Sequence, residues 1–442
     1  MWKFSLCCSI LQVVSSMQAK PVDNRLPNIL FCVADDQSFP HAGAYGCKWV
    51  KAPSFDRIAK DGILFTNAFT PNAKCAPSRS CILTGRTSWQ LEAAANHTPF
   101  FPEKFKTFSE VLIENGYHVG HTAKGWAPGD PGNRNGKKRE LLGPAFNDNK
   151  NMPPAKFISD NDYSANFEAF LNADKEEKPF CFWYGSMEPH RPYEFKAGKE
   201  KGGKHDLDID KVFGFWPDND TVRNDLLDYA FEIEYFDYHL SKMLKILEQK
   251  GMLENTIIIV TSDNGMPFPR IKGRERNDVG QPDDQGYPIR GIISDKFLYL
   301  RNFNPERWPT GNPETGYMDC DGSPTKSIIL NDRRLKGESG YWDLNFGKHP
   351  LEELYQISTD QECMENLTEN AKYDAVKRKL IRLMEHKLFE DKDPRAMGSG
   401  AIFDTYPYSV DQIRNFYNRF MSGEKMNASW INQTDIEKIV TE

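Results

Sequence analysis

The chain has 442 residues, which is enough for a large hydrophobic core and for two domains. A hydrophobic content of 39% and a charged content of 27% exclude a disordered or fibrous protein and indicate an ordinary globular one. The formal net charge of -7 argues against a nucleic-acid-binding protein, so an anionic substrate would have to be attracted locally, by a few cationic side chains and a metal ion.

Residues 1–19 have the pattern of a secretory signal peptide, with Lys3 ahead of a short apolar run and small residues up to Ala19. We therefore expect an exported protein, whether periplasmic, secreted or lysosome-like. No later segment approaches the ~18 unbroken apolar residues that a membrane span requires, so none is predicted. Loss of Cys7 and Cys8 with the signal leaves seven of the nine cysteines. An exported location permits disulfides, but the spacing assigns no pair.

Apolar runs of strand length alternate with helical patterns through the first part of the chain. This alternation is typical of an α/β protein with a mostly parallel sheet covered by helices on both faces. Residues 27–34 and 179–187 are nearly continuous apolar runs, as strands buried on both faces are. The predicted strands are 27–34, 62–69, 117–122, 179–187 and 256–260, and the predicted helices are 53–60, 77–83, 107–115, 161–173 and 222–250.

The pattern changes near residue 280. Residues 290–302 are predicted to form paired strands, 318–330 a loop, 351–356 a strand and 373–388 a terminal helix. These elements indicate a smaller C-terminal α+β module that contains an antiparallel sheet. The predicted organisation is a signal peptide at 1–19, a catalytic domain at 20–280 and a C-terminal subdomain at 281–442.

Polar side chains follow four of the predicted strands at the point where each strand ends. Because the carboxyl ends of parallel strands meet at one edge of a sheet, these side chains are expected to converge on one cavity. Adjacent buried acids such as Asp35 and Asp36 must be paired or bind a cation, since bare burial is too costly. The alternative is a helix N-cap acid beside a solvated neighbour. The strand-end residues are Asp35, Asp36, Lys124, His190, Asp263 and Asn264.

The two adjacent acids, together with Asp263 and Asn264, offer oxygen ligands. Such a set suits calcium or magnesium and disfavours zinc. His190 is a candidate proton donor to a leaving group, the alternative being a structural histidine whose hydrogen bonds are made within the fold. Several cationic side chains could bind an anionic substrate. They are Arg79, Lys124, His190 and either Arg270 or Lys272.

Residues 75–79 read Cys-Ala-Pro-Ser-Arg and lead into a short apolar helix, with Leu-Thr-Gly soon after. This spacing resembles the signature of formylglycine-dependent sulfatases of the alkaline phosphatase superfamily, which a maturation enzyme reads before it oxidises the cysteine. The alternative for Cys75 alone is an inert buried thiol. The resemblance covers about residues 27–269 and resumes in the C-terminal module. Residues 188–191 and 262–269 are most similar to heparan N-sulfatases (sulfamidases).

The resemblance implies a mechanism in which formylglycine made from Cys75 attacks sulfur while a divalent metal, calcium rather than magnesium, balances the charge on the sulfate. It implies a glycosaminoglycan-like sulfated carbohydrate as substrate, with sulfate esters or N-sulfate groups. It also implies a formylglycine-generating enzyme as a maturation partner. The implied catalytic residues are Cys75, Arg79, Lys124 and His190; the substrate-binding residues are Lys272, Arg191 and Trp126; and the metal ligands are Asp35, Asp36, Cys75, Asp263 and Asn264.

Two features depart from the sulfatase pattern. Sulfatases usually have a histidine two residues after the lysine that matches Lys124, where this chain has Trp126, and His121 is a conceivable replacement. The chain also passes almost directly from Pro269 into the C-terminal module, so part of the large domain is expected to be missing around Lys272. Two other functions stay open: a phosphatase or phosphonate-ester hydrolase of the same superfamily, and a catalytically silent sulfoglycan-binding protein.

Overall fold

The computed structural model describes residues 25–269, 275, 280–316, 319–411, 413–426, 432, 435 and 436. The predicted signal peptide, Arg270 and Lys272 lie outside the described residues. The strands are β1 (Asn28–Ala34), β2 (His118–Ala123), β3 (Asn133–Arg134), β4 (Lys137–Lys138), β5 (Phe180–Gly185), β6 (Thr256–Ser262), β7 (Ile289–Ser294), β8 (Phe297–Asn302) and β9 (Glu352–Tyr355).

The main sheet is parallel and has the strand order β2-β5-β1-β6. β1 lies between β5 and β6, and the register places Leu30 opposite Phe182 and Ile258. All six residues of β5 are buried, as its apolar sequence requires. In β6, which pairs with β1 alone among the described residues, Ile257 and Ile259 are exposed and the other five residues are half-buried.

Helices cover both faces of the main sheet. Leu30 packs on one face with Phe167 and Leu240, whereas Val33, which points to the opposite face, packs with Leu83. The fold class predicted from the sequence is thus confirmed. The α-helices are α1 (Pro53–Asp61), α2 (Cys75–Thr84), α3 (Phe108–Glu114), α4 (Tyr163–Ala173), α5 (Ala197–Glu200), α6 (Asp220–Gln249), α7 (Pro324–Asn331), α8 (Gly340–Phe346), α9 (Asp374–Glu390), α10 (Ile402–Thr405) and α11 (Phe416–Met421).

The second sheet is antiparallel, with the strand order β7-β8-β9. Tyr299 and Leu354 of this sheet form a hydrophobic cluster with Leu380 and Met384 of α9. Paired strands, a later third strand and a terminal helix were expected in this order, and the structure confirms them.

Two predicted elements are wrong. Residues 62–69 form no strand. Ile63 and Phe65 are 80% and 69% exposed, and an apolar run makes a strand only where the fold buries it. Residues 318–330, expected to be a loop, contain most of α7. That helix begins where Ser323 accepts a hydrogen bond from the N–H of Lys326 and Pro324 occupies the first turn.

Candidate active site

Cys75 is the first residue of α2 and follows the extended N-cap residue Lys74. Pro77 is tolerated in the first turn, where its missing N–H costs no hydrogen bond, and Gly85, in the left-handed conformation with φ of 65°, ends the helix. The N-terminus of α2 lies beside the carboxyl ends of β1 and β6. The free N–H groups at a helix N-terminus favour negative charge.

The thiol of Cys75 lies among the strand-end residues. Its Sγ atom is 3.6 Å from Oδ1 of Asp35 and 3.7 Å from Oδ1 of Asp36. Nζ of Lys124 is 3.3 Å from the same sulfur, and Nδ2 of Asn264 is 3.7 Å from it. Burial raises the pKa of the Cys75 thiol well above its ordinary value, although Lys124 opposes this. An unmodified thiol at this position is therefore a poor nucleophile at neutral pH.

Asp35, Asp36 and Asp263 form an acidic group beside this thiol. All three carboxylates are buried, and one ligand atom from each lies, together with Sγ of Cys75, within 4.8 Å of the others. Asp36 has a positive φ of 70°, which turns the chain directly after β1, and its N–H donates to Oδ1 of Asp263 at 3.1 Å. The side chains at the ends of β1 and β6 thus converge, as the order of elements predicted.

Two buried cations neutralise part of this charge. Arg79 donates from Nε to Oδ2 of Asp263 at 2.7 Å and from Nη2 to Oδ1 of Asp35 at 3.1 Å. Nζ of Lys124 lies 2.5 Å from Oδ2 of Asp35. Although burial opposes the charged forms, Lys124 and Arg79 hold the pKa of Asp35 below its ordinary range, and the acids raise the pKa of both cations. We refer to Asp35, Asp36, Asp263, Arg79 and Lys124 as the active-site cluster.

Asp36 is the carboxylate of the active-site cluster that forms no ion pair with Arg79 or Lys124, which bind Asp35 and Asp263. Burial raises the pKa of Asp36 to about 7, His190 opposes this rise, and the charges of Asp35 and Asp263 add to it. Three carboxylates face two permanent cations, and the third carboxylate, Asp36, pairs with the titratable imidazole of His190 at 3.7 Å, so the charge of the site is compatible with a bound cation. The amide of Asn264, 2.9 Å from Oδ1 of Asp263, completes a set of side chains that fits a hard divalent cation such as calcium or magnesium.

His190 faces the active-site cluster from the turn after β5. Its Nδ1 lies 2.6 Å from the carbonyl oxygen of Arg191, and its Nε2 lies 3.7 Å from Oδ2 of Asp36. Burial lowers the pKa of His190, but Asp36 and Asp35 outweigh it, so the pKa lies above its ordinary value. Nε2 is also 3.9 Å from Oδ2 of Asp321. No pattern in the sequence pointed to Asp321, which lies in a predicted loop far along the chain.

The two described residues that were expected to bind substrate make hydrogen bonds within the protein. Nε1 of Trp126 donates to Oγ of Ser80 at 2.8 Å. The guanidinium of Arg191 makes two hydrogen bonds of 2.8 Å to the carboxylate of Asp225. A direct contact of either residue with substrate stays a prediction, as does that of Lys272, which lies outside the described residues.

Sequence reasoning also missed two hydroxyl groups that support the end of β6. Thr70 and Ser78 both donate hydrogen bonds to the carbonyl oxygen of Asp263. Ser78 belongs to the Cys-x-Pro-Ser-Arg motif, so its type was visible but its partner was not. His121 contacts the carbonyl oxygen of Gly143 at 3.1 Å, and this contact does not support its use in place of the usual sulfatase histidine.

The parallel sheet and the charged groups at its carboxyl edge define a site in an α/β protein that suits a divalent cation and an anionic substrate. Comparison with known families makes the assignment specific. A sequence model of the family described as Sulfatase matches residues 27–293, and the chain belongs to this family. Among the described residues, no helix combines the length and the apolar character needed to cross a membrane.

Several characterised sulfatases are similar over much of the chain. An ulvan-active sulfatase of Formosa agariphila is 26% identical, covering 84% of this chain and 81% of its own. An N-acetylglucosamine-6-O-sulfatase of Bacteroides thetaiotaomicron is 30% identical over 511 residues, covering 87% and 90% respectively. Since 511 positions exceed the length of this chain, that relative contains residues without a counterpart here. Human N-sulphoglucosamine sulphohydrolase is 26% identical, covering 60% of this chain and 54% of its own.

Solved structures show the same fold. BT4656, solved in complex with its substrate D-glucosamine-2-N,6-O-disulfate, gives a TM-score of 0.54 at 17% identity and covers 84% of this chain and 99% of its own. The putative sulfatase yidJ from Bacteroides fragilis gives 0.56 at 16% identity, covering 86% and 99%. At these identities the likeness establishes the architecture of this chain.

Proposed function

We propose that this sulfatase releases sulfate from sulfated carbohydrates through a formylglycine made from Cys75 and a bound divalent ion, calcium rather than magnesium. One observation carries the proposal. Cys75 stands at the start of α2 with two carboxylates, an ammonium group and an amide within 3.7 Å of its sulfur. A nucleophile made at this position would lie beside both a cation site and a fixed positive charge.

The described side chains have separate tasks in this scheme. When present, the formylglycine and the divalent ion supply a hydrated aldehyde as nucleophile and positive charge at the sulfate oxygens. Lys124 is placed to bind a sulfate oxygen. Arg79 fixes two of the acids through buried hydrogen bonds. His190 holds a proton at Nε2 for the departing oxygen or nitrogen. The proposed metal ligands are Asp35, Asp36, Asp263 and Asn264, together with the converted residue at position 75.

The relatives indicate the class of substrate. Two of them are an N-acetylglucosamine-6-O-sulfatase and an N-sulphoglucosamine sulphohydrolase, and BT4656 binds a disulfated glucosamine. We infer that this protein acts on glycosaminoglycan-like sugars that carry a sulfate ester or an N-sulfate group. We also infer that it is exported and is matured by a formylglycine-generating enzyme, and that its catalytic domain ends near residue 280.

The first experiment is co-expression with a formylglycine-generating enzyme, followed by tandem mass spectrometry of the peptide that contains α2. We expect oxidation at Cys75 and an intact thiol at Cys81, which serves as the control on the same helix. The matured protein is then assayed for sulfate release from N-sulfoglucosamine, N-acetylglucosamine 6-sulfate and 4-nitrophenyl sulfate. Cys75→Ala should reduce kcat by at least about a thousandfold, as removal of a nucleophile does in other hydrolases.

The remaining outcomes identify the alternatives. Faster turnover of 4-nitrophenyl phosphate than of the sulfate would identify a phosphatase. Full conversion of Cys75 with glycan binding and no turnover would identify a silent sulfoglycan-binding protein. An unmodified thiol together with no sulfate release would contradict the proposal itself.

A further inference from the structure

A carboxylate from the C-terminal part of the chain enters the candidate active site. Oδ2 of Asp321 lies 3.9 Å from Nε2 of His190, and the two side chains are 20% and 33% exposed. Two residues earlier, Oδ1 of Asp319 lies 3.9 Å from Nζ of Lys74, the residue before Cys75. This segment lies beyond residue 293, where the match to the sulfatase family ends. The site is therefore built from both parts of the chain.

The segment is anchored directly beside Asp321. Cys320 is 1% exposed and belongs to the same hydrophobic cluster as Trp342. The buried ammonium group of Lys326 donates to the carbonyl oxygens of Gly316 at 2.9 Å and Cys320 at 3.3 Å. Because burial of an ammonium group is costly unless it is paired or hydrogen-bonded, these bonds hold the backbone of the segment in one place.

A second set of contacts connects Asp321 to His190 through α6. Asp225 of that helix binds the guanidinium of Arg191 and accepts a hydrogen bond of 2.6 Å from the hydroxyl of Thr325. The carbonyl oxygen of Arg191 in turn accepts a hydrogen bond from Nδ1 of His190. One buried carboxylate thus ties together the turn that carries His190 and the helix start that follows Asp321.

The positions of the protons on the ring of His190 indicate what its contact with Asp321 does. A carbonyl oxygen only accepts, so Nδ1 of His190 carries a proton and Nε2 is the nitrogen that can exchange one with the cavity. Asp36 and Asp35, the other carboxylates that face His190, are proposed metal ligands, and their charge is directed to the cation. Asp321 is then the carboxylate that keeps the ring facing the cavity. We propose that Asp321 is a positioning residue for His190, which rests on the proposed role of His190 as proton donor.

The expected effect of Asp321 depends on the leaving group. A sugar alcohol or amine needs a proton to depart, whereas 4-nitrophenolate is stable enough to leave without one. The loss of Asp321 should therefore slow the release of sulfate from sugars and leave the release from 4-nitrophenyl sulfate nearly unchanged. A residue that only stabilised the fold would affect both kinds of substrate alike.

The test compares Asp321→Asn with the wild type, both matured and supplied with calcium. For N-sulfoglucosamine and N-acetylglucosamine 6-sulfate we expect kcat to fall about 10- to 100-fold with little change in KM, and for 4-nitrophenyl sulfate to fall less than about threefold. Asp332→Asn is the matched control, since Asp332 pairs with the exposed Lys336. In a His190→Ala background, Asp321→Asn should cause little further loss, because coupled residues are not additive.

The calcium-induced rise in melting temperature is measured in parallel and should match that of the wild type. Equal losses on sugar and aryl substrates, loss of the calcium response, or unchanged turnover of the sugars would each overturn the positioning role. Asp321→Ser gives the same comparison if the asparagine variant does not fold. Absence of sulfate release by the wild type would contradict the proposed function instead.

Discussion

The active-site cluster and a second buried group of charges differ in their balance. The second group, the Arg290 network, consists of Arg290, Arg395, Glu275 and Asp393. Nε of Arg290 lies 2.6 Å from Oδ2 of Asp393, and Nε of Arg395 donates to Oε2 of Glu275 at 2.8 Å. Arg290 also pairs with Glu275, so each carboxylate is bound by a guanidinium. All four residues are at least nine-tenths buried on their side chains.

Two carboxylates face two guanidinium groups in the Arg290 network, and the protein itself balances the charge. In the active-site cluster, three carboxylates face the two permanent cations Arg79 and Lys124, and Asp36 pairs only with the titratable imidazole of His190, at 3.7 Å. A balanced buried group needs nothing further and connects β7 with the segment after α9. An unbalanced one costs stability unless a ligand completes it. The difference in charge balance between the two groups indicates which buried acids belong to a ligand-binding site.

Loss of one cation from the balanced group should have the largest effect on stability. Arg290→Met leaves the buried carboxylate of Asp393 without its guanidinium and Glu275 with Arg395 alone, and should lower the free energy of unfolding by about 3–5 kcal/mol. Arg301→Met is the control, because Arg301 on the neighbouring strand β8 forms an exposed ion pair with Glu385 and should cost less than about 1 kcal/mol. Urea unfolding measures both. Similar losses in the two variants would show that the Arg290 network is not a stabilising group.

In the active-site cluster, loss of one charged side chain should raise the free energy of unfolding instead of lowering it. Calcium at about 100 times its Kd should stabilise the wild type by about 2.7 kcal/mol, and EDTA should reverse the effect. Without calcium, Asp36→Asn should gain about 0.5–2 kcal/mol, because it removes one of three crowded carboxylates from a site that trades stability for function. The same variant should lose the calcium response.

Calorimetry of both proteins with calcium, with magnesium and with EDTA measures these changes. Arg301→Met again serves as the control and should keep the calcium response of the wild type. If Asp36→Asn is less stable than the wild type in EDTA, or is stabilised equally by calcium, Asp36 does not belong to a cation site.

The fold and the convergence of the strand-end residues could be predicted from the sequence because both depend on short-range patterns. β1, β5 and α6 each have an apolar pattern that survives in almost any tertiary context, and a parallel arrangement of strands places their carboxyl ends together. Asp36 and Asp263 could therefore be associated although they are far apart in the chain. Residues 62–69 were misjudged because a short apolar run forms a strand only with burial, which the fold does not provide here.

The rest of the site depends on tertiary contacts that leave no local pattern. Asp321 reaches His190 because Cys320 and Lys326 anchor its backbone and Asp225 holds the facing turn. None of these pairings has a characteristic spacing in the sequence. Residue type also does not reveal the direction of a side chain: Arg191 and Trp126 both make hydrogen bonds to protein groups, and their contact with substrate stays a prediction.

The smallest predicted effect concerns Trp126, whose indole N–H connects the loop after β2 to α2 through Ser80. Trp126→Phe should lower the free energy of unfolding by about 1 kcal/mol, the usual contribution of one hydrogen bond, and leave KM for sugar sulfates unchanged. Ser80→Ala removes the same bond from the other side but leaves the carbonyl oxygen of Ala76, 3.1 Å from the indole nitrogen, as a second acceptor, so a double-mutant cycle of the two should return a coupling energy below about 1 kcal/mol. A rise in KM for Trp126→Phe without a matching rise for Ser80→Ala would instead support direct binding of substrate by the indole ring.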